Sequence, residues 1–207
     1  MKLVVLLLAI NLFASVASSQ TDSEYLKTTS LQFGFNGLNL ATINAGVGGK
    51  TWTTEHTALG LSIAGSHTFS KSDPNPRQSG TTQSTTVIQI QFGIEGHMME
   101  TENFSPYVAG ALFARYEAQQ YEHRGTYIFS TEESHTTKKS IGLCFGVGAE
   151  YWVTKRLSLA GQHMFQVSYT SGTQEAQDYS ALTKSAQDLR GINIGLGTSS
   201  LILALYF

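Results

Sequence analysis

The chain has 207 residues, of which 41% are hydrophobic, 11% aromatic and only 14% charged, with a formal net charge of -2 and a mean hydropathy of -0.08. A soluble domain usually carries about 25% charge, so residues that cover a wet surface are scarce, yet the aromatic content excludes a disordered chain. The near-neutral charge excludes a nucleic-acid binder, and a single cysteine, Cys144, excludes a disulfide framework or a multi-cysteine metal site.

Met1-Lys2 supplies a short positive start, Leu3 to Phe13 is apolar apart from Asn11, and Ala14, Ser15, Ala17, Ser18 and Ser19 are small. These are the three regions of a secretory signal peptide. Residues 1–20 are expected to be removed, with cleavage between Ala17 and Gln20, leaving one domain over 21–207. The apolar core is shorter than the ~20 residues of a spanning helix, and no cysteine follows it for lipid attachment.

Strict alternation then dominates. Leu59, Leu61, Ile63 and Phe69 oppose small or polar residues. Ile88, Ile90, Phe92, Ile94 and Met98 oppose Val87, Gln89, Gln91, Gly93, Glu95 and His97. Ile141, Leu143, Phe145, Val147, Tyr151 and Val153 oppose Gly142, Cys144, Gly146, Gly148, Glu150 and Trp152. Leu157, Leu159, Phe165, Val167 and Tyr169 oppose Ser158, Ala160, Gln162, Gln166 and Ser168. Such patterns belong to strands whose two faces meet different media.

The runs are longer than the five or six residues usual for soluble strands. Their polar face is Gly, Ala, Ser and Gln rather than Lys and Glu. A closed barrel with apolar residues outside and small polar ones inside satisfies both facts better than a water-soluble sandwich or lipocalin-like barrel. The predicted strands are Leu31 to Leu38, Gly46 to Trp52, Ala58 to Phe69, Thr86 to Met99, Tyr107 to Gln119, Ser140 to Val153, Leu157 to Tyr169 and Ile192 to Phe207. The fold class is therefore all-β: a closed, antiparallel, up-and-down transmembrane β-barrel of eight strands. A ten-stranded version would need another hairpin around Tyr127, Ile128 and Phe129.

Tight connections at Thr53 to Thr57, Thr101 to Ser105 and Thr154 to Arg156 alternate with polar loops at Lys71 to Thr85, Tyr121 to Lys138 and Thr170 to Asp188. Short turns on one side and long loops on the other match outer-membrane barrels. A faint repeat, Gly46 to Trp52 against Gly146 to Trp152, fits a hairpin array.

The C-terminus alternates Leu201, Leu203, Leu205 and Phe207 on one face and stops at the aromatic residue. This ending resembles the assembly signal of bacterial outer-membrane barrels. Together with the export signal and the alternation, the chain over 21–207 resembles the small eight-stranded outer-membrane barrels, similar to the transmembrane domain of OmpA and to OmpX. The resemblance implies residence in a Gram-negative outer membrane, contact with lipid and lipopolysaccharide, and insertion by the barrel-assembly machinery. It also implies an interior closed by crossed ion pairs.

Lys50, Glu95, Arg115 and Glu150 fall on the inward face by parity. Facing lipid would cost a cation about 2–4 kcal/mol near the midplane, so these four are expected to pair inside, Lys50 or Arg115 with Glu95 or Glu150. The expected result is a static plug; an exchanging gate is the alternative. No catalytic residue, cofactor or metal is expected. Lipid A deacylases, also eight-stranded, place His and Ser two apart facing lipid, but here His67 is followed by Phe69 and His163 by Phe165. His123 and His135 lie beside Glu122, Glu132 and Glu133 in a spacing that fits no metal pattern. Function is therefore expected in the outer loops, where Tyr121, Tyr127, Ile128, Phe129 and Tyr179 are candidate contacts for an extracellular partner. The expected role is structural or adhesive; a lipid-modifying enzyme and a narrow gated channel are the alternatives.

Overall fold

A computed structural model describes residues 29–36, 44–72, 80–98, 103–124, 131–179 and 182–207. The expected signal peptide, and Tyr127, Ile128 and Phe129, lie outside the described residues. Eight strands follow one another: β1 (Thr29–Asn36), β2 (Asn44–Trp52), β3 (Thr57–Ser72), β4 (Gly80–His97), β5 (Phe104–Arg124), β6 (Thr131–Thr154), β7 (Leu157–Asp178) and β8 (Thr183–Tyr206). Each pairs antiparallel with its sequence neighbour, and β1 pairs with β8, so the sheet closes on itself. Because β5 and β6 are directly hydrogen-bonded, no further hairpin stands in the ring between them.

The alternation reads out as two surfaces. On β6, Ile141, Leu143, Phe145, Val147, Tyr151 and Val153 are exposed, while Cys144, Glu150 and Trp152 are buried. On β4, Ile88, Ile90, Phe92 and Ile94 are exposed, and Gln89, Gln91 and Glu95 line an interior cavity. The chain thus shows its large hydrophobics outward and buries small and polar residues inward, the reverse of a soluble protein.

The interior is crowded enough to dictate glycine. At Gly148 an added Cβ would meet the ring of Tyr107, its partner across the β5–β6 ladder; at Gly146 it would meet the His163 carbonyl. The closing seam is the C-terminal motif itself. Leu201, Leu203 and Leu205 stand opposite Phe35, Phe33 and Leu31 of β1, and the Phe207 N–H donates to the Thr29 carbonyl at 3.0 Å.

Two differences from the sequence expectation are physical. First, β5 to β8 run 21, 24, 22 and 24 residues, about twice the 9–11 that cross a bilayer. The expected loops Tyr121 to Lys138 and Thr170 to Asp188 are mostly ladder, paired through Arg124↔Thr131 and Asp178↔Thr183. Thr, Ser, Gln and Glu there carry no alternation because both faces are polar. Second, Leu201 and Leu205 point outward at odd positions but Ile192 and Ile194 do so at even ones. An irregularity between Met164 and Gln166 on β7 resets the register, Met164 opposing Thr198 and Gln166 opposing Gly195. The extra residue on β8 flips parity.

The strands are unequal, and among the described residues this leaves edges. β1 covers β8 only from Ser200 to Tyr206, and β2 covers β3 only up to Gly65. Beyond those points β3 to β8 continue as a six-stranded sheet. Among the described residues, β8 from Thr183 to Ser199 has β7 as its one neighbour. Ile192 and Ile194 are accordingly 74% and 81% exposed, against 38% for Val167 opposite Ile194 on β7.

Candidate functional site: a buried ion cluster and a projecting sheet

Four strands bring a charged cluster together inside the turn-bearing end of the barrel. Lys50 is the last inward residue but one of β2, Glu95 and His97 end β4, Glu150 lies near the end of β6, and Tyr206 ends β8. Lys50 Nζ donates to Glu95 Oε2 at 2.9 Å and to Glu150 Oε2 at 2.8 Å. The other oxygen of Glu150 accepts from Tyr206 OH at 2.7 Å and from Ser158 Oγ. Lys50, Glu150 and Ser158 are buried. A desolvated carboxylate needs such donors, because an ion in low dielectric is tolerable only when paired and hydrogen-bonded.

Aromatic rings wall the cluster. Trp52 packs on His97 with centroids 4.5 Å apart, and His97 on Tyr107 at 5.0 Å. Trp152 packs on Tyr206 at 4.6 Å, and the Lys50 ammonium lies 5.4 Å from the Trp52 ring centroid. His97 Nδ1 shares a 2.6 Å hydrogen bond with Ser105 Oγ, while its Nε2 lies 3.5 Å from Glu95 Oε2. Above the cluster sits a cavity of about 130 Å³, lined by Glu95, the carboxamides Gln32, Gln89, Gln91 and Gln162, and several glycines. Ions, hydroxyls and rings crowd the interior at the level of Lys50, where Lys50, Glu150, Ser158 and Tyr107 are all buried.

The structure therefore brings three of the four inward charges together and separates the fourth. Arg115 pairs instead with Glu117 at 2.8 Å, and Glu117 also lies 3.6 Å from Lys138. The reason is height. Arg115 stands opposite Gln89, six residues outward from Glu95 on β4, about 20 Å along the strand. Parity assigns a face, not a level. His97, Tyr107, Ser158 and Tyr206 were missed as members of the cluster; their inward parity was the available signal. Among the described residues, Glu95, His97 and Glu150 are the one group whose ligand atoms lie close enough to hold a metal. His123 and His135, with their acidic neighbours, do not form such a group.

The histidines of the outer face find hydroxyl partners from adjacent strands. His67 Nδ1 lies 2.9 Å from Thr86 Oγ1, and His163 Nδ1 lies 3.0 Å from Ser199 Oγ. The serine that sequence spacing failed to supply beside His163 is thus delivered by β8. His163 sits edge-on to Phe165 amid exposed apolar side chains.

Of the candidate surface contacts, Tyr121 is half-buried in the β5 ladder opposite Ser134. Tyr179, beyond the end of β7, donates its hydroxyl to Glu133 Oε2 at 3.0 Å. That hydrogen bond raises the Tyr179 phenol above its ordinary range. Tyr121 belongs to the projecting sheet and Tyr179 to the turn that follows β7.

A closed eight-stranded antiparallel barrel with an apolar exterior and a polar, packed interior is the architecture of the small outer-membrane barrels. One solved structure agrees at the level of fold. A major outer membrane protein of Thermus thermophilus superposes with a TM-score of 0.58 at 11% identity, over 86% of this chain and 98% of that one. CarO of Acinetobacter baumannii gives 0.46 at 10% identity, over 90% and 100% of the two chains. Ail, the attachment invasion locus protein of Yersinia pestis, gives 0.41 at 10%, over 86% and 92%. No family model matches the chain, and no curated protein does.

Proposed function

We propose that this protein is an integral outer-membrane barrel whose closed interior supports a surface-exposed sheet that binds extracellular protein. The observation that carries the reading is the edge of β8 between Thr183 and Ser199, which presents backbone N–H and C=O groups to no strand other than β7 among the described residues. An exposed edge is a template for an added strand: main-chain hydrogen bonds give affinity and alternate side chains give selectivity. The outward belt of Leu, Ile, Val and Phe supports a lipid-facing wall, and the fold shared with the Thermus protein supports the same location. In this setting the Lys50–Glu95–Glu150 cluster is a plug, and the extracellular partner is a polypeptide able to extend.

The test is paired. Heat-modifiable migration in detergent, with protection of the barrel from protease in liposomes, examines membrane residence. Binding to immobilised extracellular-matrix or serum proteins, compared with a variant carrying Ala186→Pro, whose N–H faces away from β7, examines the edge. Proline removes a backbone donor and blocks strand addition, so binding is expected to fall while heat-modifiability stays. Equal binding by both forms would overturn the edge as the binding element.

The His163–Ser199 contact favours a second reading, hydrolysis of a lipid ester by a serine activated by its imidazole. Release of fatty acid from lipid A by the parent, lost in Ser199→Ala, would replace the non-enzymatic reading.

A further inference from the structure

We infer that the buried cluster is a site for a divalent transition-metal ion of the zinc type, with Glu95, His97 and Glu150 as ligands and the Lys50 ammonium as the cation that such an ion displaces.

The argument starts from charge. Glu95 and Glu150 bring two negative charges to one buried spot, and Lys50 returns one positive charge. One ammonium leaves the pair of carboxylates short of a full counter-charge; one divalent ion matches it. Acidic pairs alone do not make a metal site. Here the decisive member is His97, whose side chain is fully buried. Its Nδ1 is occupied by Ser105, and its Nε2, also buried, has no hydrogen bond tighter than its 3.5 Å approach to Glu95 Oε2. A metal-binding histidine has this arrangement, one ring nitrogen anchored by a hydroxyl or carbonyl so that the other offers its lone pair.

The spacing agrees. Nε2 lies 3.5 Å from Glu95 Oε2, close to the ~3.3 Å that separates two ligands on one tetrahedral zinc with bonds of about 2.0–2.1 Å. All three ligand atoms lie within 4.8 Å of one another, so closing them on one ion is a matter of side-chain adjustment. Two oxygens and one imidazole nitrogen suit zinc-type ions and not calcium or magnesium, which prefer oxygen alone.

Lys50 has somewhere to go. The 130 Å³ cavity borders the cluster at Glu95 and is lined by the carboxamides of Gln32, Gln91 and Gln162, whose oxygens can accept from an ammonium. Tyr206 OH and Ser158 Oγ remain on the far oxygen of Glu150 as outer-shell donors. Metal entry would therefore exchange one cation for another at the level that closes the barrel. This inference does not depend on what the projecting sheet binds.

Titration calorimetry of the detergent-folded protein with zinc chloride tests it, alongside His97→Phe, which keeps the ring between Trp52 and Tyr107 but removes the nitrogen ligand. The parent is expected to bind one ion per barrel, at least a hundredfold more tightly than His97→Phe. Ser105→Ala should lose about tenfold through its histidine anchor, and Lys50→Met, where it folds, should gain at least tenfold. Cobalt bound to the parent should show the ligand-field absorption of a nitrogen-containing four-coordinate site, absent from His97→Phe. Equal zinc binding by parent and His97→Phe would place the ion elsewhere, for instance on the outer histidines, and overturn the site. Binding by Lys50→Met but not by the parent would also overturn it, showing that Lys50 closes the site to metal.

Discussion

Replacing Lys50 with Met removes the one cation from the centre of the ion cluster. In the parent its ammonium lies 2.9 Å and 2.8 Å from two carboxylate oxygens, and the Glu150 side chain is fully buried. Each contact is worth a gross attraction of about 4 kcal/mol or more at an effective dielectric of 20, much of it offset by the desolvation of three ions. Breaking a buried pair while leaving its partner behind costs about 3–5 kcal/mol. Here two carboxylates are left behind, so Lys50→Met is expected at the upper end of that range.

The charge count then orders the other variants. Glu95→Gln leaves Lys50 and Glu150 as a matched pair and should cost less than about 1 kcal/mol. Glu150→Gln also leaves a matched pair, but it weakens the charge-assisted bonds from Tyr206 and Ser158, each worth about 1.5–3 kcal/mol. Its cost should fall between the other two. Combining Lys50→Met with Glu95→Gln and Glu150→Gln should recover most of the loss, because no bare charge remains. Reversible urea unfolding in lipid vesicles measures all four. A cost for Glu95→Gln equal to that of Lys50→Met would refute the reasoning, since it would mean that the surplus negative charge is not the controlling quantity.

Gly148→Ala should destabilise the barrel by about 1–3 kcal/mol, the usual cost of overpacking, because its Cβ would enter the Tyr107 ring; Gly161→Ala, with open space around it, should be neutral in the same assay. Planar-bilayer recordings should show negligible conductance for the parent and for Glu95→Gln, while Lys50→Ala combined with Glu150→Ala opens a measurable current; a current in the parent would turn the plug into a gate. Tyr179 should ionise above the ordinary ~10 of a free phenol, because its proton is held by Glu133. The contact is therefore present at neutral pH and is lost as pH rises through that elevated midpoint. Phenolate absorbance with Glu133→Gln should show the titration moving back toward the ordinary range, and no movement would remove Glu133 as the cause.

Much of the architecture was readable because the barrel wall separates two media. Ile88 to Ile94 and Ile141 to Val153 each show a period of two that any strand with one greasy face must show. Where that contrast ends, so did legibility. The outer parts of β5 to β8 are ladder all the same, but Thr, Ser, Gln and Glu meet water on both sides and carry no period. The β8 irregularity left a trace in the sequence, since apolar residues fall at 192, 194 and 196 and then at 201, 203 and 205, but Gly197 to Ser200 offers no large side chain to mark where the parity reverses.

The cluster was half legible. Lys50, Glu95 and Glu150 share a face by parity, yet only the folded barrel, which sets Lys50 Nζ 2.9 Å from Glu95 and 2.8 Å from Glu150, brings them together and leaves Arg115, opposite Gln89, further out. The Ser199 hydroxyl beside His163 is a cross-strand partner, 36 residues away in sequence, which no local motif could supply.

The central claim is that the exposed hydrophobics touch hydrocarbon while the small polar residues line the interior. Spin labels placed one at a time along β4, at 88 through 94 in a Cys144→Ser background reconstituted into liposomes, test it most directly. Collision with oxygen, which concentrates in lipid, should peak at 88, 90, 92 and 94 and drop at 89, 91 and 93. A profile without that alternation, or one that peaks with a water-soluble nickel relaxant at 90 and 92, would contradict the account.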